Sequence, residues 1–150
     1  MKTLQNNTRA SVQGCVDILP LAIACIPWGI LTGALAVQAG LSNLQAQVMS
    51  LIVFAGAAQI SGLSMIASGV SPISILGSTF VISSRHLLYS IRFRQHVDQL
   101  STAWRLGIGF LLTDEMFAVS EAHTRKVEYF DKYYAFYSGL CFWVIWNLST

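Results

Sequence analysis

Charge is what this sequence has least of. Lys, Arg, Asp and Glu together make up 11% of it, against about a quarter in soluble globular domains. The shortage is also uneven, because residues 18–84 contain no Asp, Glu, Lys, Arg or His. A soluble domain needs a polar outer face on each surface helix, and this stretch has no charge to offer one. A membrane crossing needs about 20 mostly apolar residues to span about 30 Å of hydrocarbon. The uncharged stretch has room for more than one. These absences point to an all-α integral membrane protein with several spans.

Two further scarcities narrow the function. The formal net charge is only +2, and no basic patch carries interleaved aromatics, so nucleic acid is not an expected partner. The three cysteines, Cys15, Cys25 and Cys141, are far apart and show neither CxxC nor His-linked metal spacing. They read as small apolar residues in or near helices. No metal and no cofactor is expected. There is no GxxxxGK[ST] phosphate loop, and Gly107-x-Gly109 is only a fragment of a dinucleotide fingerprint.

The apolar residues fall into five segments, approximately 17–38, 45–68, 73–91, 106–119 and 133–148. Residues 1–16 are polar, carry Lys2 and Arg9, and are expected at the cytoplasmic surface. With the apolar run and Ala34-Leu35-Ala36 they resemble a cleavable signal in outline. Pro20 and Pro27 interrupt that run and another membrane-like segment follows, so a retained first span is expected. The prolines should bend it. Gly29 and Gly33 form a GxxxG pair that lets a second helix approach closely. In the second segment Phe54-Ala-Gly56-Ala-Ala-Gln59-Ile-Ser-Gly62 crowds small residues around one amide. Gln59 suits interhelical hydrogen bonding or a substrate contact, and Gly56 and Gly62 suit helix packing.

Arg85-His86 lies near the end of the third segment, and Arg92, Arg94, Asp98 and Arg105 are expected to form a net basic loop. Segment 106–119 is short, at about 21 Å for fourteen helical positions. If every segment crossed fully from a cytoplasmic N-terminus, Arg92, Arg94 and Arg105 would lie outside, against the positive-inside tendency. Broken or re-entrant helices at 55–72 and 106–119 remove the conflict, and transporters often build sites from such helices. The last segment is rich in Tyr, Phe and Trp, as an interfacial belt would be.

Two adjacent carboxylates, Asp114 and Glu115, stand inside the fourth segment. Ionisable groups in hydrocarbon usually face a cavity or a partner and mark functional sites. Adjacent helical residues point about 100° apart, so the two acids are expected to do different work. Arg85 can pair with a carboxylate in bidentate fashion. Asp114 or Glu115 can meet an ammonium, Gln59 and Thr113 can supply neutral hydrogen bonds, and His86 suits proton transfer.

The motifs resemble one family, the AzlC-type large subunit of bacterial branched-chain amino acid exporters. They are Pro20, Gly29, Gly40-Leu41-Ser42, Met49-Ser50, Phe54-Ala-Gly-Ala-Ala-Gln59, Ala67 with Gly69, Arg85-His86-x-x-Tyr89, Leu112-Thr-Asp-Glu-x-Phe-Ala118 and Trp143-x-x-Trp146. Ser83 departs from the Asn or Asp usual two positions before the Arg, and Ser90 stands where Gly is frequent. The resemblance implies export of valine, leucine, isoleucine or related amino acids across the bacterial inner membrane, and His86 or an acid as proton carrier would make that export proton-coupled. It implies a small AzlD-type membrane subunit as partner, allows a higher oligomer, and implies further spans after the aromatic segment. It adds Tyr89 to a pathway of Asp114, Glu115, Arg85, His86, Gln59 and Thr113. Two other readings stand beside it: a non-transporting or inactive membrane subunit truncated at its C-terminus relative to the family, and an intramembrane enzyme using His86, Asp114 and Glu115.

Overall fold

The computed structural model describes the backbone of residues 2–150 and the side chains from Asn6 onward. All regular elements among the described residues are helices: α1 (Lys2–Gln38), α2 (Asn43–Val53), α3 (Gly56–Ala67), α4 (Pro72–Ser83), α5 (Arg85–Val97), α6 (Thr102–Phe110), α7 (Asp114–Val127) and α8 (Lys132–Ser149). α1 continues through Pro20 and Pro27 without interruption, and its part Asn6–Gln38 is long and apolar enough to cross a bilayer as one helix. The turn after α1 holds Gly40, whose φ of +90° suits a residue without a Cβ. Ser42 then opens α2 with a capping box: its hydroxyl accepts from the Gln45 N–H, and the Gln45 side chain accepts from the Ser42 N–H at 2.8 Å.

The run 45–68 is not one helix. At Phe54 the backbone turns left-handed (φ 39°, ψ 48°) and α2 stops. After it, α3 runs back along α2: Leu63 packs with Ala46, and Gln59 bonds to Ser50. Contacts that close up toward the break define an antiparallel helical hairpin with Phe54-Ala55 at its tip. α4 starts at Pro72, a residue that needs no N–H there, and packs against α3.

Residues 85–149 repeat the plan. α5 and α7 run in the same direction, since Tyr89 stacks on Phe117, Arg92 pairs with Glu121, and His96 stacks on Phe130. α6 runs alongside α8 and parallel to it, with Trp104 against Tyr133 and Phe136 and with Phe110 against Trp143. α6 and α7 are therefore a second helical hairpin, with its tip at residues 111–113. Arg92 and Arg94 lie on α5, and Arg105 lies on α6. The expected basic loop shrinks to residues 98–101. The reason is the spacing Tyr89-Phe93-Val97, a helical stripe that packs on Ile108, Leu112 and Met116 and carries α5 past the end of the apolar run.

Long or middle helix, four-residue turn, short helix, break, helix, four-residue turn, helix: this order occurs twice, in α1–α4 and in α5–α8. Ser42 and Ser101 occupy matching N-cap positions. Before α4, Ser71 accepts from the Ser74 N–H, and before α8, Asp131 accepts from the N–H groups of Tyr133 and Tyr134. The chain divides into two compact units along this repeat. One holds Ala24–Arg85 and Ile145–Thr150, and the other holds His86–Val144 with α1 as far as Ile23.

In the second unit the structure corrects the reading of the cysteines. Cys15 and Cys141 form a disulfide with Cα atoms 5.6 Å apart, and Cys25 takes no part in it. α1 comes that close to α8 because Gly14 has no side chain, and a Cβ there would lie 2.5 Å from the Tyr134 carbonyl oxygen. Asp17 accepts a hydrogen bond from the Tyr134 hydroxyl at 2.8 Å on the same contact. A separation of 126 residues leaves no local spacing from which such a pair can be read.

Candidate functional site

Thr113 ends the break at the tip of the second hairpin. Its backbone is extended, and its hydroxyl accepts from the Met116 N–H at 3.3 Å, capping α7. Asp114 and Glu115 follow in the first turn, where the helix dipole favours negative charge, and Arg125 and Lys126 occupy the last turn, where it favours positive charge. The walls of the tip are apolar: Leu111, Leu112 and Met116 are buried. α8 presses on it at Gly139, where a Cβ would stand 2.8 Å from Leu111 Cβ and 3.2 Å from Met116 Cγ. Both acids are half-buried. One helical turn below Thr113, Phe117 stacks on Tyr89 with ring centroids 4.4 Å apart, and His86 meets Tyr89 edge-on at 5.9 Å. Thr113, Asp114, Glu115, Tyr89 and His86 are thus gathered in one unit around α5 and α7.

Gln59 and Arg85 belong to the other unit. Arg85 is exposed at the start of α5. Gln59 is 1% exposed and donates from Nε2 to Ser50 Oγ at 3.0 Å across the first hairpin. The packing glycines differ among themselves. A Cβ on Gly29 would meet the Ser149 side chain, one on Gly33 the Thr150 backbone, and one on Gly56 the Trp146 ring. At Gly62 it would meet nothing within 4 Å, so no close helix approach requires glycine there.

A feature missed in the sequence is Glu121. Its side chain is 8% exposed and takes two hydrogen bonds from Arg92, Nε to Oε1 at 3.1 Å and Nη2 to Oε2 at 3.3 Å. Arg125 stands 3.9 Å from the same carboxylate. The fork geometry makes this a directional link between α5 and α7. Its signal was present: Arg92 follows Arg85 by seven residues and Glu121 follows Asp114 by seven, a spacing that keeps each pair on one helix face. A groove of about 770 Å³ opens along α5 and α6, walled by Leu87, Ile91, Leu106 and Ile108 with Arg94 and Arg105 on its lining. None of the seven expected pathway residues lines it.

Comparison with known proteins gives a consistent picture. The model of the family described as AzlC protein matches residues 20–150. The inner membrane protein YgaZ of Escherichia coli is 36% identical over 116 residues, which are 74% of this chain and 46% of that protein. An uncharacterized membrane protein of Archaeoglobus fulgidus is 33% identical over 72% of this chain and 47% of its own. Another, from Helicobacter pylori, is 27% identical over 80% of this chain and 54% of its own. The chain spans about half the length of the curated relatives it matches. No solved structure matches. With a family match over nearly the whole chain and relatives named as membrane proteins, this chain is a membrane protein of the AzlC family.

Proposed function

We propose that this chain exports branched-chain amino acids (valine, leucine, isoleucine or close relatives) across the bacterial inner membrane. It acts as the large, multi-pass subunit of a proton-coupled, two-component permease whose partner is a small AzlD-type membrane subunit. The observation that carries this reading is the α6–α7 tip. Two carboxylates at the head of one helix stand among buried Leu and Met side chains, where ionisable groups are costly and are kept for a pathway. His86 and Tyr89 lie on the helix that packs against this turn, and a histidine is suited to passing protons at physiological pH. Family membership supports the same class. No chemical transformation is part of this reading.

The test is efflux from cells preloaded with branched-chain dipeptides, expressing the chain with its small partner. Export of valine, leucine or isoleucine is expected, and Asp114→Asn should bring it to the background of cells lacking the chain while membrane insertion stays intact. Normal efflux in that variant would remove Asp114 from the mechanism. No export by well-inserted wild-type protein would favour a non-transporting subunit.

A further inference from the structure

Two buried side-chain atoms in the unit that holds α2–α4 make no hydrogen bond: Gln59 Oε1 and Trp146 Nε1. Leaving such an atom unmet costs about 1–3 kcal/mol, so orphaned groups of this kind call for an explanation. Both stand at the first hairpin. The Trp146 ring lies on Gly56, with Cη2 2.8 Å and Cζ2 3.4 Å from where a Cβ would be. Cζ3 is as close as Cζ2, at 3.4 Å, so the six-membered ring of the indole covers the first turn of α3 and Nε1 belongs to the ring system packed there. Gln59 is one position beyond that turn. Its Nε2 is committed to Ser50 on α2, which leaves Oε1 as an acceptor.

The start of α3 is also electrostatically open. No side chain caps it and no acid lies in its first turn, whereas α7 has the Thr113 cap and two acids at the matching place. The backbone N–H groups there carry the positive end of the dipole. An anion alone would satisfy Trp146 and the helix end but not Gln59. A cation alone would satisfy only Gln59. An α-amino acid head, with carboxylate and ammonium on one carbon, answers both.

We infer that the α2–α3 tip recognises the zwitterionic head of the transported amino acid, with Trp146 Nε1 and the first turn of α3 facing the carboxylate and Gln59 Oε1 facing the ammonium. This deepens the export reading and rests on it. It also leaves Asp114 and Glu115 to ion coupling.

The experiment is calorimetric binding to the full chain, purified in detergent with its small partner. The ligands are leucine, leucinamide (which lacks the carboxylate) and 4-methylpentanoate (which lacks the ammonium). Trp146→Phe should weaken leucine about tenfold and leave leucinamide unchanged, so the preference between the two shrinks by that factor. Gln59→Leu should weaken leucine and leucinamide alike and spare 4-methylpentanoate. Gln59→Glu, close in size and folding more readily, should tighten leucinamide. An unchanged leucine-to-leucinamide preference in Trp146→Phe together with unchanged leucinamide binding in Gln59→Glu overturns the inference. Ordered water would then satisfy the two atoms, and the export reading would stand. Folded wild-type protein that binds no leucine overturns both.

Discussion

Glu121 shows how much one side chain can carry in a chain this poor in charge. It is nearly shut off from solvent, yet it holds a two-point bond to Arg92, whose side chain is half-exposed. Removing one member of such a pair leaves the other without its partner, and hydrogen bonds to charged groups are worth about 1.5–3 kcal/mol. Glu121→Gln should therefore lower the thermal midpoint of the purified protein, with a loss of stability in that range. Replacing both residues by Met should recover part of the loss, because no buried charge is then stranded. A midpoint unmoved by Glu121→Gln would show that the pair adds nothing to the joint between α5 and α7. The sequence showed the charges but not the pair. Arg92 and Glu121 sat at the polar edges of separate apolar runs, and only the parallel course of α5 and α7 brings them within reach. Asp114, Glu115 and His86 were legible for the opposite reason, since each stands out against an apolar background.

At the scale of elements, glycine decides how closely α8 can approach the second hairpin. A Cβ at Gly139 would press on Leu111 and Met116 at 2.8–3.2 Å, two of those three contacts being to a side chain on or beside the tip. Overpacking of this kind costs about 1–3 kcal/mol. Gly139→Ala should lower the thermal midpoint and also efflux, because the tip carries Thr113, Asp114 and Glu115. Gly62→Ala is the matched control. It lies inside α3 with open space at its Cβ, so the change should be neutral or stabilise by up to about 1 kcal/mol through helix propensity. Equal effects at the two positions would contradict the packing described. Glycine-rich segments announced close packing in the sequence but not which glycine bears it, because the neighbour is set by tertiary structure. Helix breaks were partly legible. Gly40 and Ser42 marked a turn, whereas Phe54 carries no turn signal and adopts its left-handed backbone because the α2–α3 pairing demands it.

For the molecule as a whole, the two hairpins change how charge arrangement relates to the membrane. Five full crossings would have placed the basic residues 92–105 on the far side, but the contacts within their unit describe a different path. α6 leaves from the end where α5 finishes, and α7 returns to that end, where His96 stacks on Phe130. Arg92 is bonded to Glu121, and Glu128 lies seven residues further along α7, about 10 Å. That is far short of the roughly 30 Å of hydrocarbon that separates the two faces. With that path, Arg92, Arg94, Arg105, Arg125 and Lys126 are expected on one side of a membrane, as the positive-inside tendency favours. Single cysteines at Gln95, one turn past Arg92 so that the ion pair survives, and at Glu128 test this in a cysteine-free background. A membrane-impermeant maleimide applied to spheroplasts should treat the two positions alike, labelling both or neither until the cells are opened. Labelling of one position alone would mean that α6 and α7 do not fold back together. The re-entrant account of the acidic tip would then fail with them.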